Sequence, residues 1–574
     1  MRIALAQINS VVGDLAGNAE RVTARIEDAK RQSVDLVLFP ELIVTGYPPE
    51  ALLLRPGFIR AAERTLADLA RSCRGITALI GTPHFDRDLY NACAICAGGE
   101  VKAMYRKRFL PNYGVFDEDR YFAPGRDLIL LEIGKTLIGP TVCEDLWQPG
   151  PPATDLALGG AELIANISAS PYHVGKERER EEMFVTRARD NSSFVAFCNA
   201  VGGQDELIFD GHSCVIDDEG NVLARAPGFE EALLVVDIDP KDVVGRRLRD
   251  VRRRALARER ENTPHVAIVH VGTEKPPANG TRADAGVVPF DGELEQMRRA
   301  LELGLHDYVD KNGFRDGVVV GVSGGIDSAV TAALAAEALG PERVHCVSMP
   351  SRYSSEGTRA DAKRLAEALG CPFAELPIGG VVDAFTETLR EQFAGREADL
   401  AEENIQARAR GVLLMALSNK FGWMLVATGN KSELSVGYAT LYGDMAGGFA
   451  LLKDVYKTDV FRLALYLNEH AGRELIPQSI IDRAPSAELR DNQLDQDSLP
   501  PYPELDRVLE QYVEHDRTLE ELSEDGLEAD VVHRAVGMID RAEYKRRQAP
   551  PGVKLRPKAF GRDRRTPITN RWRG

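Results

Sequence analysis

The sequence predicts an α/β protein made of two successive domains that differ in sheet architecture. Three observations carry that prediction. A chain of 574 residues is too long to fold around one hydrophobic core. Short β-rich runs alternate with helical stretches along its whole length. A Gly- and Pro-rich stretch, GTEKPPANGTRADAG at 272–286, interrupts that alternation and reads as loop or linker. The boundary is expected between about 262 and 290, giving a first domain over 1–245, a linker over 246–290 and a second domain over 291–574.

In the first domain VDLVLFPE, TALIGTP, TLIGPTVCED, AELIANIS and SFVAFCNAVGG read as strands, and RVTARIEDAKRQS and FIRAAERTLADLARSC carry helical periodicity. HSCVIDDEGNVLARAP reads as a hairpin and ALLVVDIDP as an edge strand, so a sheet-rich domain covered by helices is predicted. The basic run GRRLRDVRRRALARERE at 245–261 reads as a solvated linker helix. From 291 a helix is followed by GVVVGVS (strand), SAVTAALAAEALG (helix), RVHCVSMP (strand), a further helix and WMLVATGN (strand). Strands alternating with helices imply parallel βαβ units with right-handed crossovers, hence a doubly wound parallel sheet. The tail past about 545 is basic.

An apolar fraction of 44% with 28% charged residues is that of an ordinary globular chain, which excludes disorder as its main state. A formal charge of −17 argues against non-specific nucleic-acid binding. No run of 18 apolar residues is present, so no membrane span is expected. MRIALAQINS leads directly into a strand pattern without the apolar core of a signal segment. The eight cysteines include Cys198 and Cys346 inside apolar strands, the pattern of reduced, buried thiols in a cytoplasmic protein. Cys93 and Cys96 form a C-x-x-C in the strand-like run NACAIC with no second ligand pair, so both are expected to be structural rather than zinc-binding.

The most specific local signal is Gly321-Val322-Ser323-Gly324-Gly325-Ile326-Asp327-Ser328, lying between a strand and a helix. Small residues let successive backbone N–H groups line an anion, and the helix N-terminus adds partial positive charge, so the loop is built to take phosphate. It is neither a Walker A loop, which ends in Gly-Lys-Ser/Thr, nor G-x-G-x-x-G. In the first domain Glu41 ends the strand VDLVLFP, Lys107 lies in YRKRFLPNYGVFDEDRYF and Cys143 in LIGPTVCEDLW. A thiol nucleophile, a carboxylate to move its proton and an ammonium to hold an oxyanion suffice for amide hydrolysis.

The second loop resembles the S-G-G-x-D-S loop of the ATP pyrophosphatase group, which splits ATP into AMP and pyrophosphate and uses the Asp, here Asp327, as a magnesium ligand. Together with MPSRYSS (349–355), ENIQARAR (403–410), ATGNKSELSVGYATLYGD (427–444) and PSAEL (485–489), it resembles NAD⁺ synthases. F-P-E-L, K-x-x-L-P and C-E-D-x-W are similar to the Glu-Lys-Cys motifs of the nitrilase superfamily, and FDEDRYF to the glutaminase domain of glutamine-dependent NAD⁺ synthases. The resemblance runs over about 1–560 and implies a nitrilase-like αββα sandwich followed by a Rossmann-like domain.

It further implies Glu41, Lys107 and Cys143 as catalytic, with glutamine contacts from Tyr113, Ser170 and Lys176 and support from Glu118. ATP would meet the 321–328 loop, Thr428, Lys457 and Ser486; deamido-NAD⁺ would meet Asn404, Glu433 and Lys545; Mg²⁺ would sit at Asp327 and Glu433. The implied reaction is ATP-driven adenylation of a carboxylate, followed by amidation with ammonia drawn from glutamine, in a homo-oligomer. Another acceptor acid stays open at this point, as does an inactive nucleotide-binding scaffold.

Overall fold

The computed structural model describes residues 1–572 except 241, 260–265, 273–282, 284, 492 and 525. The chain divides into two compact units: Met1–Gln204 with Ile208–Asp291, and Gly292–Gly574 with the short piece Asp205–Leu207.

The first unit holds two stacked sheets. The six-stranded sheet runs in the order Ala232–Asp237, Arg2–Gln7, Leu36–Leu38, Thr77–Asp86, Asp88–Ala97, Glu100–Arg106. The seven-stranded sheet runs Val222–Arg225, Cys214–Ile216, Phe194–Asn199, Leu163–Ser168, Thr136–Val142, Leu128–Ile133, Val266–Gly272. Strand period decides the layering, because successive side chains face opposite ways. On the six-stranded sheet Ile3, Leu5, Leu36, Leu38, Cys93 and Ile95 face the core between the sheets. Their neighbours Ala4, Ala6, Val37 and Ala94 pack under the helices Leu15–Arg31 and Pro56–Ser72. On the opposing sheet the Cys198 thiol reaches the carbonyls of Ala6 and Leu38 across the core, while Phe197 turns outward against Phe184 of the helix Lys176–Asn191. The result is the αββα order. Cys93 and Cys96, three apart on one strand, lie on opposite faces of the sheet, so this C-x-x-C cannot grip one metal. All eight cysteines are free and buried.

The hairpin forms as Cys214–Ile216 against Val222–Arg225, and Ala232–Asp237 is an edge strand beside Arg2–Gln7. The stretch read as linker differs from that reading in two places. The basic run folds as two helices, Asp242–Arg249 and Val251–Glu259, and is docked rather than only solvated. Arg247 donates to the carbonyls of Gly160 and Ser192, and Arg253 to that of Ala157; the Ala157 and Gly160 acceptors are carbonyls at a helix end, which attract cations. Val266–Gly272 then runs parallel to Leu128–Ile133 as the last strand of the second sheet. The β-branched run VAIVHV signals that strand, but the surrounding basic and Gly/Pro-rich composition masks it. Most of the 272–286 loop reading falls outside the described residues.

In the second unit all strand pairings are parallel, in the order Phe373–Glu375, Val344–Ser348, Val318–Gly321, Met424–Ala427, Phe449–Ala450. The first strand in sequence lies in the middle and the chain winds outward on both sides. The order reverses between Val318–Gly321 and Met424–Ala427, and in such sheets ligands bind at the carboxyl ends of the strands where that reversal opens a crevice. The helix Ile326–Leu339 is apolar nearly all round and correspondingly buried. Among the described residues no helix is long and apolar enough to cross a membrane.

If the core between the sheets sets the stability of the first unit, Leu38→Ala, at a fully buried position, is expected to lower it by about 2–5 kcal/mol. Urea unfolding followed by far-UV circular dichroism checks this, and a shift under 1 kcal/mol would show that the layer collapses around the gap.

Two candidate active sites

In the first unit Glu41, Lys107 and Cys143 converge. Glu41 follows the strand Leu36–Leu38, Lys107 follows Glu100–Arg106, and Cys143 follows Thr136–Val142. The Lys107 ammonium is fully buried and donates to Glu41 Oε1 at 2.7 Å and to Glu118 Oε1 and Oε2 at 2.8 and 2.9 Å. Glu41 Oε2 accepts the backbone N–H of Ala169 at 3.0 Å. Glu118 Oε1 accepts the Tyr47 hydroxyl at 2.9 Å.

Cys143 sits at a sharp strand-to-helix turn with φ 42° and ψ −100°, a left-handed conformation that a side chain bears only under constraint. Asp145 supplies the constraint. It is fully buried and accepts the N–H groups of Val142, Arg108 and Phe109 and the hydroxyl of Tyr105. One carboxylate thereby ties the Cys143 turn to the segment that carries Lys107.

Burial above all, and the nearby Glu41 carboxylate, push the Cys143 thiol well up, against the pull of Lys107. The resting sulfur is therefore protonated and needs a base. Burial works against the Lys107 charge, but Glu118 and Glu41 together hold it well above its ordinary value. Burial pushes Glu118 up to about 7, with Lys107 opposing and Glu41 adding to the rise.

Tyr113, Ser170 and Lys176 gather around the same turn. The Tyr113 hydroxyl donates to Glu144, the residue after Cys143, at 2.9 Å. Ser170 follows Ala169, its N–H given to Asn199 and its hydroxyl beside the buried Arg180. Lys176 opens a helix, with its ammonium 4.0 Å from the ring centre of Trp147. Burial lowers its pKa, with Glu179 opposing.

In the second unit the 321–328 loop closes the strand Val318–Gly321 and opens the helix Ile326–Leu339 at the switch point. Gly324 has φ +82°, and a Cβ there would lie 2.3 Å from the Thr358 carbonyl, so only glycine fits. The loop lines a cavity of about 290 Å³ together with Thr428, Glu433, Lys457 and Ser486. Asp327 accepts the Asn430 amide at 2.8 Å and is ion-paired to Lys457, which also reaches Glu433 Oε1 at 3.1 Å. Burial disfavours the Lys457 charge, but Asp327 and Glu433 hold its pKa well up. Burial pushes Glu433 up to about 7, against Lys457 and with Asp327. Asn404 and Lys545 do not reach the cavity wall. Asn404 accepts the Thr440 hydroxyl and Lys545 donates to the carbonyls of Gly437 and Ala439, so both hold the 437–440 segment, whose Tyr438 and Thr440 do line it.

Residues 2–247 match the carbon-nitrogen hydrolase family and residues 297–549 the NAD synthase family. The chain is 48% identical over 576 positions, spanning all of it and 99% of the partner, to a glutamine-dependent NAD(+) synthetase of Thermotoga maritima. The corresponding protein of Aquifex aeolicus is 44% identical over the full length of both. The chain belongs to the glutamine-dependent NAD⁺ synthetases. A solved structure of such a synthetase from Acinetobacter baumannii in complex with ADP has 37% identity and a TM-score of 0.74, covering all of this chain and 99% of that one. One from Cytophaga hutchinsonii, at 22% identity, TM-score 0.80 and coverage of 100% and 98%, shares the fold.

Three residues of this synthetase's first site escaped the sequence reading: Tyr47, Asn91 and Asp145. Asp145 was quoted within C-E-D without a role, and Asn91 was a polar residue in the apolar strand LYNACAICA. If Asp145 joins the two segments as described, Asp145→Ala strands three backbone N–H groups and is expected to cost at least about 3 kcal/mol of first-unit stability. Chemical denaturation measures it; a loss below 1 kcal/mol would mean that water replaces the carboxylate.

Proposed function

We propose that this synthetase amidates deamido-NAD⁺ to NAD⁺ with ATP and glutamine, releasing AMP, pyrophosphate and glutamate. One observation carries the reading: a single chain pairs the buried Glu41–Lys107–Cys143 cluster with a phosphate-type loop at a switch-point cavity. Glutamine is held by Tyr113, Ser170 and Lys176, the last offering an ammonium for its α-carboxylate. Glu41 takes the Cys143 proton and the sulfur attacks the side-chain amide. Lys107 stabilises the oxyanion and Glu118 keeps that ammonium charged. Ammonia leaves, and water with Glu41 as base frees glutamate.

In the second unit the N–H groups of the 321–328 loop take ATP phosphate, with Lys457, Thr428 and Ser486 as further contacts. The nicotinate carboxylate of deamido-NAD⁺ attacks the α-phosphorus, pyrophosphate leaves, and ammonia displaces AMP. A free carboxylate is a poor electrophile, so the adenylate supplies the leaving group. Asn404 and Lys545 act on deamido-NAD⁺ through the 437–440 segment, and Glu433 lines its end of the cavity. Asp327 and Glu433 already converge on one cation, the Lys457 ammonium. Such oxygen donors fit Mg²⁺, which needs only one or two carboxylates beside phosphate and water oxygens. Asp327 and Glu433 would hold Mg²⁺, which would supply charge neutralisation of the phosphates, and Lys457 lines the same cavity as a further cation for ATP. A homo-oligomer is part of the proposal: Phe385, Val412, Met415 and Phe421 are exposed along the helices Gly379–Leu389 and Leu400–Phe421. So is a cytoplasmic setting, which eight free thiols suit.

NAD⁺ formation from deamido-NAD⁺, ATP, Mg²⁺ and glutamine tests the whole reading. Cys143→Ala is expected to lose glutamine-driven synthesis by about 10³-fold or more, yet keep ammonia-driven synthesis at a pH that supplies free ammonia. An unchanged ratio of the two rates removes Cys143 from the chemistry. AMP and pyrophosphate should appear in step with NAD⁺, and Asp327→Asn should lower synthesis from either nitrogen source by at least about 100-fold. ADP as the product, or near-normal synthesis by that variant, would unseat the loop assignment.

A further inference from the structure

One side chain outside the expected set touches both carboxylates of the first site. Asn91, on the strand Asp88–Ala97, is fully buried. Its amide nitrogen donates to Glu41 Oε1 at 2.7 Å and to Glu118 Oε2 at 3.3 Å. Its backbone carbonyl accepts the Lys107 N–H at 2.8 Å. A single strand residue therefore fixes the backbone of the lysine and the carboxyl planes of both glutamates.

The two oxygens of Glu41 are left unequal. Oε1 accepts two donors, the Lys107 ammonium and the Asn91 amide. Among the described residues Oε2 accepts only the Ala169 N–H. A carboxylate oxygen offers about two lone-pair directions, so Oε1 is filled and Oε2 keeps one. We infer that Asn91 is a positioning residue that makes Oε2 of Glu41 the base for the Cys143 thiol, by occupying the remaining acceptor site of Oε1. The inference rests on the glutaminase reading above.

The proton balance closes on that one atom. The Cys143 S–H proton passes to Oε2 as the sulfur–carbon bond forms and the carbonyl electrons move to the oxyanion. When the oxyanion collapses, the carbon–nitrogen bond breaks and the departing NH₂ takes the proton from Oε2, leaving as NH₃. Water then gives Oε2 a proton as its oxygen adds to the thioester, and the leaving sulfur takes that proton back. The free thiol and the γ-carboxylic acid result, the acid loses its remaining proton to solvent to give glutamate, and Asn91 exchanges nothing.

The charged and titratable groups facing Glu41 are Lys107, Glu118, Tyr47 and Cys143. A donor aimed at an ionised carboxylate favours the ionised form. Without the Asn91 amide the carboxylate pair holds its protons to higher pH, and Glu41 is free to turn about its terminal bond and offer either oxygen. Both effects slow proton transfer without touching the glutamine contacts.

The test uses the full-length chain with Asn91→Leu, similar in size but apolar, and Asn91→Asp, the same shape without the amide donors. Glutamate release is followed against glutamine concentration and pH, with thermal unfolding alongside. Both variants are expected to lose about 10- to 100-fold in kcat with KM for glutamine within about threefold. The acid limb of kcat/KM should move up by half a pH unit or more, and ammonia-driven NAD⁺ synthesis should persist. A kcat within threefold of wild type, or a fall that tracks lost stability while the acid limb stays in place, overturns the positioning role. A wild-type chain that releases no glutamate overturns the glutaminase reading itself, and Asn91's role with it.

Discussion

The first unit depends on a single buried ammonium. Lys107 has no exposed surface, and an unpaired charge there would cost more than most folds can offset. Glu41 and Glu118 make it tolerable, and each arrives on a different part of the chain. The three can meet only if the strand ends carrying Glu41 and Lys107 sit at one rim of the sheet and the Glu118 turn folds back over them. The ion cluster thus selects the arrangement of loops, and the stacked sheets hold that arrangement rigid. The same cluster accounts for the site's protonation state: a thiol kept neutral chiefly by burial and a lysine kept charged by two carboxylates.

Rigidity comes from neutral partners and a second buried carboxylate. Asp145 gathers three backbone N–H groups and a phenol, and so joins the Cys143 turn to the Lys107 segment. Burial pushes it up to about 6, with the Phe109 and Val142 N–H groups opposing, so the groups it serves also keep it ionised at neutral pH. The strain at Cys143 is held in place by these bonds, and it presents the sulfur at the end of a strand rather than along its side.

Much of this was legible in the sequence because the chemistry-bearing residues sit in contiguous motifs at strand ends: F-P-E-L, K-R-F-L-P, C-E-D-L-W and S-G-G-I-D-S. Alternation of apolar residues gave the strands, and the β-α order gave the parallel sheet of the second unit. What stayed hidden depends on adjacency that only the folded sheets create. Asn91 lies fifty positions from Glu41 and meets it because the strands Thr77–Asp86 and Asp88–Ala97 pair side by side. Val266–Gly272 was concealed by its neighbours' composition. Asn404 and Lys545 lie one layer behind the cavity wall, a distinction between contact and support that no motif encodes.

The two sites repeat one electrostatic arrangement with opposite consequences. Each places a lysine between two carboxylates: Lys107 with Glu41 and Glu118, Lys457 with Asp327 and Glu433. In the first site the carboxylates are 0% and 5% exposed, so the pairing is sealed from water and serves as a fixed frame. In the second they are 19% and 16% exposed and line an open cavity, so solvent or a cation can compete for them. Breaking either pairing leaves a buried lysine charge to be satisfied, since the Lys107 side chain is 0% and that of Lys457 2% exposed; only the second can be met by groups entering the cavity. A hydrolytic site that must hold one geometry through four proton transfers calls for the sealed version. A site that admits a nucleotide calls for the open one, in which an entering phosphate can pair with the lysine that the two carboxylates hold until then.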